Sequence, residues 1–448
     1  MTEQAHNFYN LQNDLIANLA DSTLYNPELQ QLYDKLLECR NTNQIVKDSL
    51  IKKAELSLTG QFFRYSNKVY QGSELNIAQL GWYIPRKKIN ISNLLDSLVD
   101  GKEYPIKMQE PLNSQYRLLE NELSKYQQLN KILKWDSIPD DKTFKMGEKG
   151  RVIPFIKNRL FLLGDSKVKD TSTLFNNSML IAVKKFQYRF GIPATGKIGN
   201  STFKQLNLSP KILIIKILIN MERARWMPLD TSRVDRIVIN IPEYKLNVYD
   251  SGIYSFSMPV IVGTEAHNTV IFSESIRYIV FSPYWNVPTS ITRKEVMPAI
   301  ERNRNYLQQH NMEIVKYDGN IPEIRQKPGL NNALGKVKFL FPNKFNIYLH
   351  DTPNKDAFLN SKRGFSHGCI RIGNPSALAK FLLRRQPLYT KDSISTLMNQ
   401  SKEKWVDSKP LVQVIIKYFT AWVDAEGIIN FREDIYGHDK KMEEKLFD

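Results

Sequence analysis

Cys369 stands in the run Phe365-Ser366-His367-Gly368-Cys369-Ile370-Arg371-Ile372, and His350 closes the upstream run Phe345-Asn346-Ile347-Tyr348-Leu349-His350. A cysteine beside glycine, within reach of an imidazole donated by a strand end, has the makings of a thiol nucleophile. A free thiol of pKa ~8.5 is only slightly ionised at neutral pH and needs activation. Three local devices offer it. His350 can accept the proton. The backbone N–H groups of His367, Gly368 and Cys369 can form an oxyanion hole, since glycine permits close approach and unusual dihedrals. Tyr348, two residues before His350, points to the same strand face and can donate its hydroxyl there. Each residue also has a plainer use: His350 bonded to a turn, His367 orienting the loop, Cys369 as a small buried hydrophobe. A zinc site needs a second ligand pair that His367 and Cys369 lack, so no metal and no cofactor are expected.

The only other cysteine, Cys39, lies in a helical-looking stretch and is expected to be a small buried residue, so a disulfide framework is not expected. Net charge is +17, from 63 Lys+Arg against 46 Asp+Glu, which suits an acidic polymer such as cell wall, an anionic membrane or nucleic acid. The charge is dispersed, with only short clusters such as Arg86-Lys87-Lys88 and Arg384-Arg385, so nucleic acid is not expected as a partner. Met1 to Ala20 shows no cationic region followed by an apolar core, hence no visible signal peptide. The most apolar run, Ile212 to Ile219, is broken by Lys216 and falls far short of the ~20 residues that span a bilayer. With Ser209 as N-cap and Pro210 at the first position, it reads as a buried helix and not as a transmembrane segment.

The elements that must carry this chemistry follow from periodicity. At 448 residues and ~150 per domain, about three domains are expected. The first 140 residues read as helical; Leu119, Leu123, Tyr126 and Leu133 share one face of a helix opening near Asn113. After a polar stretch, Asp136 to Lys149, come three short helices. The first carries Ile156, Leu160 and Leu163 and ends at Gly164. The second follows Asn177 with Met179, Val183, Phe186 and Phe190 and is stopped by Gly191. The third runs from Asn200 through Phe203 to Leu206. Beyond the apolar helix the period becomes two: Ile237, Ile239 and Ile241, then Leu246 and Val248, then the turn Asp250-Ser251-Gly252. These read as antiparallel strands and hairpins with one wet face. The charged segment 289–343 is too long for a hairpin loop and reads as an inserted subdomain, a lid over the site. Past Cys369, Asn374 caps a helix with Pro375 at its start, and Leu411 to Tyr436 holds two alternating strands joined at Asp424-Ala425-Glu426-Gly427. The fold class expected is α+β and multidomain, with a β-rich second half.

Two stretches resemble known families. Ala182-Val183-Lys184-Lys185-Phe186-Gln187 through Gly191-Ile192-Pro193-Ala194-Thr195-Gly196-Lys197-Ile198-Gly199 resembles the peptidoglycan-binding domain 1 pattern. His350, a gap, and Ser366-His367-Gly368-Cys369-Ile370-Arg371 resembles the signature of the L,D-transpeptidase (YkuD) catalytic domain. Asn240-Ile241-Pro242, Trp285-Asn286-Val287-Pro288, Phe341-Pro342-Asn343 and Phe431-Arg432-Glu433-Asp434-Ile435-Tyr436 are similar to the large, YcbB-type branch. The resemblance implies a helical scaffold over 1–142 and a three-helix peptidoglycan-binding domain over 143–208. It further implies a scaffold helix and linker over 209–232 and a catalytic domain over 233–448, with a capping insertion at 289–343.

By the same resemblance Cys369 is the nucleophile and His350 the general base, with Asp351 steadying the imidazole by its carbonyl or its side chain. Tyr348, Ser366, His367 and Gly368 shape the oxyanion loop, and Arg371, Trp285 and Asn286 bind substrate. One departure is Thr269-Val270, where the family usually has Thr-Pro; it touches the local turn only. The implied activity is transfer of a tetrapeptide stem, through a thioester with loss of D-alanine, onto a side-chain amine, giving a 3→3 crosslink. The alternatives are L,D-carboxypeptidase, wall-peptide cysteine peptidase and non-catalytic wall binding. The implied partners are peptidoglycan stem peptides and glycan, with other wall-synthesis enzymes compatible. The implied location is the periplasm or cell envelope.

Overall fold

The computed structural model describes residues 3–19, 22–38, 44–99, 111–132, 134–139, 142–229 and 233–447. Cys39 and Leu133 lie outside the described residues. The first third is helical, as its periodicity requires: Glu3–Leu19, Pro27–Glu38, Gln44–Ser66, Ile91–Val99 and Ser114–Ile132. Their shared core is largely aromatic. Phe8 meets Phe62 and Tyr65 edge-on, and Tyr9 stacks on Tyr33 at 3.8 Å between ring centroids. Leu119, Leu123 and Tyr126 are buried on one face of Ser114–Ile132, where Asn113 Oδ1 accepts the Gln115 N–H at the helix start.

The three-helix unit forms as read: Ile153–Leu162, Asn177–Arg189 and Asn200–Leu206. Asn176, one residue earlier than expected, caps the second helix by accepting from the Met179 N–H at 3.0 Å. The helix Pro210–Trp226 joins the parts. Its Glu222 accepts from the Ser73 N–H and from Trp226 Nε1, and Arg223 meets Asp439 at 2.6 Å. Its buried charges therefore all have partners. Among the described residues no helix is long and apolar enough to cross a membrane.

Strands make up most of the rest: β1 (Arg236–Asn240), β2 (Lys245–Asp250), β3 (Ile253–Gly263), β4 (Ser273–Phe281), β5 (Trp285–Asn286), β6 (Met312–Asp318), β7 (Ile321–Gln326), β8 (Val337–Leu340), β9 (Leu349–His350), β10 (Gly364–Ser366), β11 (Ile370–Ile372), β12 (Lys404–Lys417), β13 (Ala421–Val423) and β14 (Ile429–Phe431). The large sheet runs β10-β3-β11-β9-β8-β4-β12-β1-β2, and β3 also pairs with β2. The ladder therefore returns on itself, which removes most of the open edge. The long β3 makes this possible: residues 253–259 pair with β2, while 260–263 serve β11 and β10.

Two expectations change. The strands are not uniformly antiparallel, because β1 runs parallel to β12, β9 to β11 and β10 to β3. Strands that return after long connections are free to enter in either direction. In the C-terminal stretch there are three strands and not two, since the long β12 enters the large sheet and β13–β14 form a separate hairpin. The segment 289–343 and the small unit actually built overlap without coinciding. A three-stranded sheet, β5-β7-β6, packs with short helices around Val287, Val296 and Ile324, so the unit takes in β5 at 285–286. β8 belongs to the large sheet, where Val337 and Phe339 alternate with Lys338 and are fully buried.

Candidate active site

Register places the candidate side chains. Along parallel β9 and β11, Leu349 faces Ile370 and His350 faces Arg371; across antiparallel β8 and β9, Lys338 faces His350. Leu349, Ile370 and Phe339 point into the main core. Alternation then sends Tyr348, His350, Lys338, Arg371 and the residue before β11, Cys369, to the opposite face. One strand pair thus brings together four of the residues singled out from the sequence.

His350 is buried, and its Nδ1 donates to the Asp351 carbonyl at 2.6 Å. Only a protonated nitrogen can face a carbonyl, so the neutral ring keeps its lone pair on Nε2. The carbonyl of Asp351, and not its side chain, steadies the imidazole. The side chain instead pins the turn: Oδ1 accepts from the Thr352 N–H at 2.7 Å and pairs with Lys355, and Oδ2 accepts from the Lys336 N–H at 2.9 Å. Gly335 makes this possible, with φ of 63° and an absent Cβ that would lie 2.5 Å from Asp351 Cβ. Burial first, then the Arg371 guanidinium, push His350 down to about 4; the Asp351 carbonyl partly opposes them and Lys338 adds to them.

Cys369 sits at the start of β11, and its thiol donates to the Asn346 carbonyl at 3.6 Å. Burial pushes the thiol up, partly offset by hydrogen bonding to Tyr348 and by the Arg371 charge. Both shifts favour the neutral forms, thiol and imidazole. Gly368 takes φ of 110°, a region favouring glycine. Its N–H donates to Ser366 Oγ at 3.2 Å, and Ser366 Oγ donates to the Cys369 carbonyl at 2.5 Å. The Gly368 N–H is thus already engaged, whereas the Cys369 N–H donates to no described residue. His367 is exposed, with its ring 5.0 Å from that of His267.

Arg371 is half-buried, and its Nε is buried with no hydrogen-bond partner among the described residues. Tyr348 lies beside the site, its ring 5.7 Å from that of His350, and burial followed by the Cys369 charge raises its hydroxyl. Trp285 and Asn286 are elsewhere: they form β5, Trp285 packs on the small core, and Asn286 is exposed. Sequence reasoning missed two supports. Asn343 Oδ1 accepts from the N–H groups of Phe345 and Ile347, shaping the loop whose Asn346 (φ 55°) offers its carbonyl to Cys369. An Asn three residues before another Asn was the available signal. Thr269, taken as a turn residue, donates to the Gly368 carbonyl at 2.8 Å.

Three family models match parts of the chain. Residues 234–390 match the L,D-transpeptidase catalytic domain (YkuD) family, residues 153–206 the peptidoglycan binding domain 1 family, and residues 1–123 the Scaffold domain family. The chain thus carries an L,D-transpeptidase catalytic domain preceded by a peptidoglycan-binding domain 1. A curated relative from Haemophilus influenzae, named "Putative L,D-transpeptidase", is 30% identical over 257 residues, 54% of this chain and 50% of that protein. The chain therefore spans about half the length of that relative. Among solved structures, an L,D-transpeptidase from Stackebrandtia nassauensis is 15% identical, covering 63% of this chain and 98% of its own at a TM-score of 0.25. An L,D-transpeptidase from Mycobacterium smegmatis is 11% identical, covering 41% and 58% at a TM-score of 0.23.

Proposed function

We propose that this protein is an L,D-transpeptidase that forms 3→3 peptidoglycan crosslinks through a Cys369 thioester. The observation that carries the proposal is the in-register pairing of β9 with β11, which sets His350, its Nδ1 locked to the Asp351 carbonyl, beside the strand that Cys369 immediately precedes. The catalytic-domain match over 234–390 supports it. In the donor step the Cys369 thiol gives its proton to His350 Nε2 as sulfur attacks the carbonyl of residue three of a tetrapeptide stem. The tetrahedral oxyanion meets the Cys369 N–H, with the loop of Ser366, His367 and Gly368 holding that peptide in place. Collapse breaks the C–N bond, and D-alanine leaves with the proton returned from His350. In the second step His350 takes a proton from the side-chain amine of a second stem, which attacks the thioester and releases the thiol.

Arg371 binds a substrate carboxylate, for which its unpartnered Nε is suited. Tyr348 donates to the reacting sulfur, and Trp285 and Asn286, at the root of the small unit, contact the donor stem as that unit covers it. On this reading the chain divides into a scaffold over 1–142, a wall-binding domain over 143–208, a linking helix over 209–232 and the catalytic unit over 233–448. The scaffold and wall-binding matches favour the YcbB-type branch. Peptidoglycan as substrate places the protein in the periplasm or cell envelope. The test is mass spectrometry of products from a purified tetrapeptide disaccharide. A crosslinked dimer with free D-alanine is expected from the wild type and none from Cys369→Ala. A tripeptide alone would reassign the enzyme as an L,D-carboxypeptidase, and retained crosslinking in Cys369→Ala would overturn the mechanism.

A further inference from the structure

The Gly368 carbonyl and the Cys369 N–H belong to one planar trans peptide, so they point in opposite directions. Whatever fixes the carbonyl also aims the N–H. The carbonyl is held by Thr269, whose Oγ1 donates to it at 2.8 Å while accepting from the Gly263 N–H at 2.9 Å. Thr269 is 1% exposed, so water does not compete for either bond. A second residue closes the arrangement. Tyr436 donates its hydroxyl to the Gly263 carbonyl at 2.7 Å and accepts from the Thr269 N–H at 3.3 Å. Its own N–H donates to Tyr418 at 2.9 Å, and the Tyr418 hydroxyl donates to Asp434 Oδ1 at 2.7 Å. A run of hydrogen-bonded residues therefore links Asp434, through Tyr418, Tyr436 and Thr269, to the peptide that precedes the nucleophile. Tyr436, Tyr418 and Asp434 lie beyond the matched segment 234–390.

We propose that Thr269, backed by Tyr436, is a positioning residue that aims the Cys369 N–H at the oxyanion formed when the thiol attacks a carbonyl. This rests on the transpeptidase reading above. The two backbone groups of Gly368 have separate holders: Ser366 takes its N–H and Thr269 its carbonyl, while the Cys369 N–H donates to no described residue. Removing the Thr269 hydroxyl leaves a buried carbonyl and a buried N–H unpaired, so the peptide can rotate toward another donor. A preformed donor saves reorganisation only while its direction is fixed.

The test compares two reactions of the same sulfur. Acylation by a carbapenem passes through an oxyanion, whereas alkylation by iodoacetamide is a displacement at carbon and needs none. Thr269→Val, which nearly keeps the shape, is expected to slow acylation roughly 10- to 100-fold and to leave alkylation within about two-fold. Thr269→Ser is expected to restore most of the acylation. Tyr436→Phe is expected to slow acylation more mildly, again with alkylation unchanged, and it carries the test if Thr269→Val does not fold. Equal acylation in wild type and both variants overturns the positioning role. Acylation and alkylation falling by the same factor also overturns it, since the loop has then simply collapsed. A wild-type protein that alkylates but never acylates overturns the transpeptidase reading itself, and the positioning role with it.

Discussion

Burial moves the two proposed reacting groups apart: the Cys369 thiol rises while His350 falls to about 4. Both directions disfavour a resting thiolate–imidazolium pair, so in the proposed mechanism the proton moves as attack begins. This differs from a cysteine activated in advance by a charged histidine. Alkylation of Cys369 by iodoacetamide should accordingly keep rising with pH through 9, its apparent pKa lying above that of an ordinary thiol. A rate plateau reached below pH 8 would contradict this. Arg371 opposes the first effect and deepens the second, since its charge lowers the thiol and the imidazole alike. A substrate carboxylate on Arg371 would offset that charge and make His350 a stronger base when substrate is present.

Short elements carry the geometry, and each depends on its neighbours. β9 is two residues long and β11 three; neither would hold its register alone, but both are flanked by paired strands in the closed sheet. The β8–β9 pair is held at its open end by Asp351, which accepts from the Lys336 N–H, and at its turn by Asn343. Gly335 is the sharpest point of that support. Gly335→Ala should cost about 2 kcal/mol or more, because a positive φ and a close approach to Asp351 are both violated. Turnover should fall as well, because the Asp351 carbonyl that orients His350 moves with the turn. Thermal unfolding and steady-state rates on the same preparation check both effects, and a variant matching wild type in both would remove Asp351 from the account.

Across the whole molecule, Pro210–Trp226 is the common wall of scaffold, C-terminal helix and catalytic unit. Lys216 reaches the Arg432 carbonyl at 2.6 Å, and Arg432 in turn donates to the Arg189 carbonyl of the three-helix unit at 2.9 Å. Phe190 stacks on Phe431 at 5.2 Å across the same junction. Two buried histidines, His350 and His438, are both pushed down to about 4, in each case chiefly by desolvation. The unfolded chain binds these protons near pH 6.5, before the folded protein does, so stability is full above about 6.5 and declines as pH falls toward 4. Each histidine contributes on the order of 3 kcal/mol across that window. Melting temperatures measured from pH 8 to 4.5 should show the decline, and His350→Gln should flatten part of it. An identical slope in the variant would mean that His350 is not buried neutral.

The sequence by itself determined the elements with strong periodicity or punctuation: the three short helices around Phe186, the capped Pro210–Trp226 and the hairpin at Asp250-Ser251-Gly252. Local steric and capping rules act over a few residues, so they can be read along the chain. Tertiary structure alone decided that β8 belongs to the large sheet, that β9 and β11 run parallel, and that the Asp351 carbonyl holds the imidazole. It also decided that Thr269 and Tyr436, 167 residues apart, meet beneath the nucleophile loop. A hydrogen bond between distant segments leaves no periodic trace, because its partners are chosen by the closed sheet and not by their neighbours in sequence.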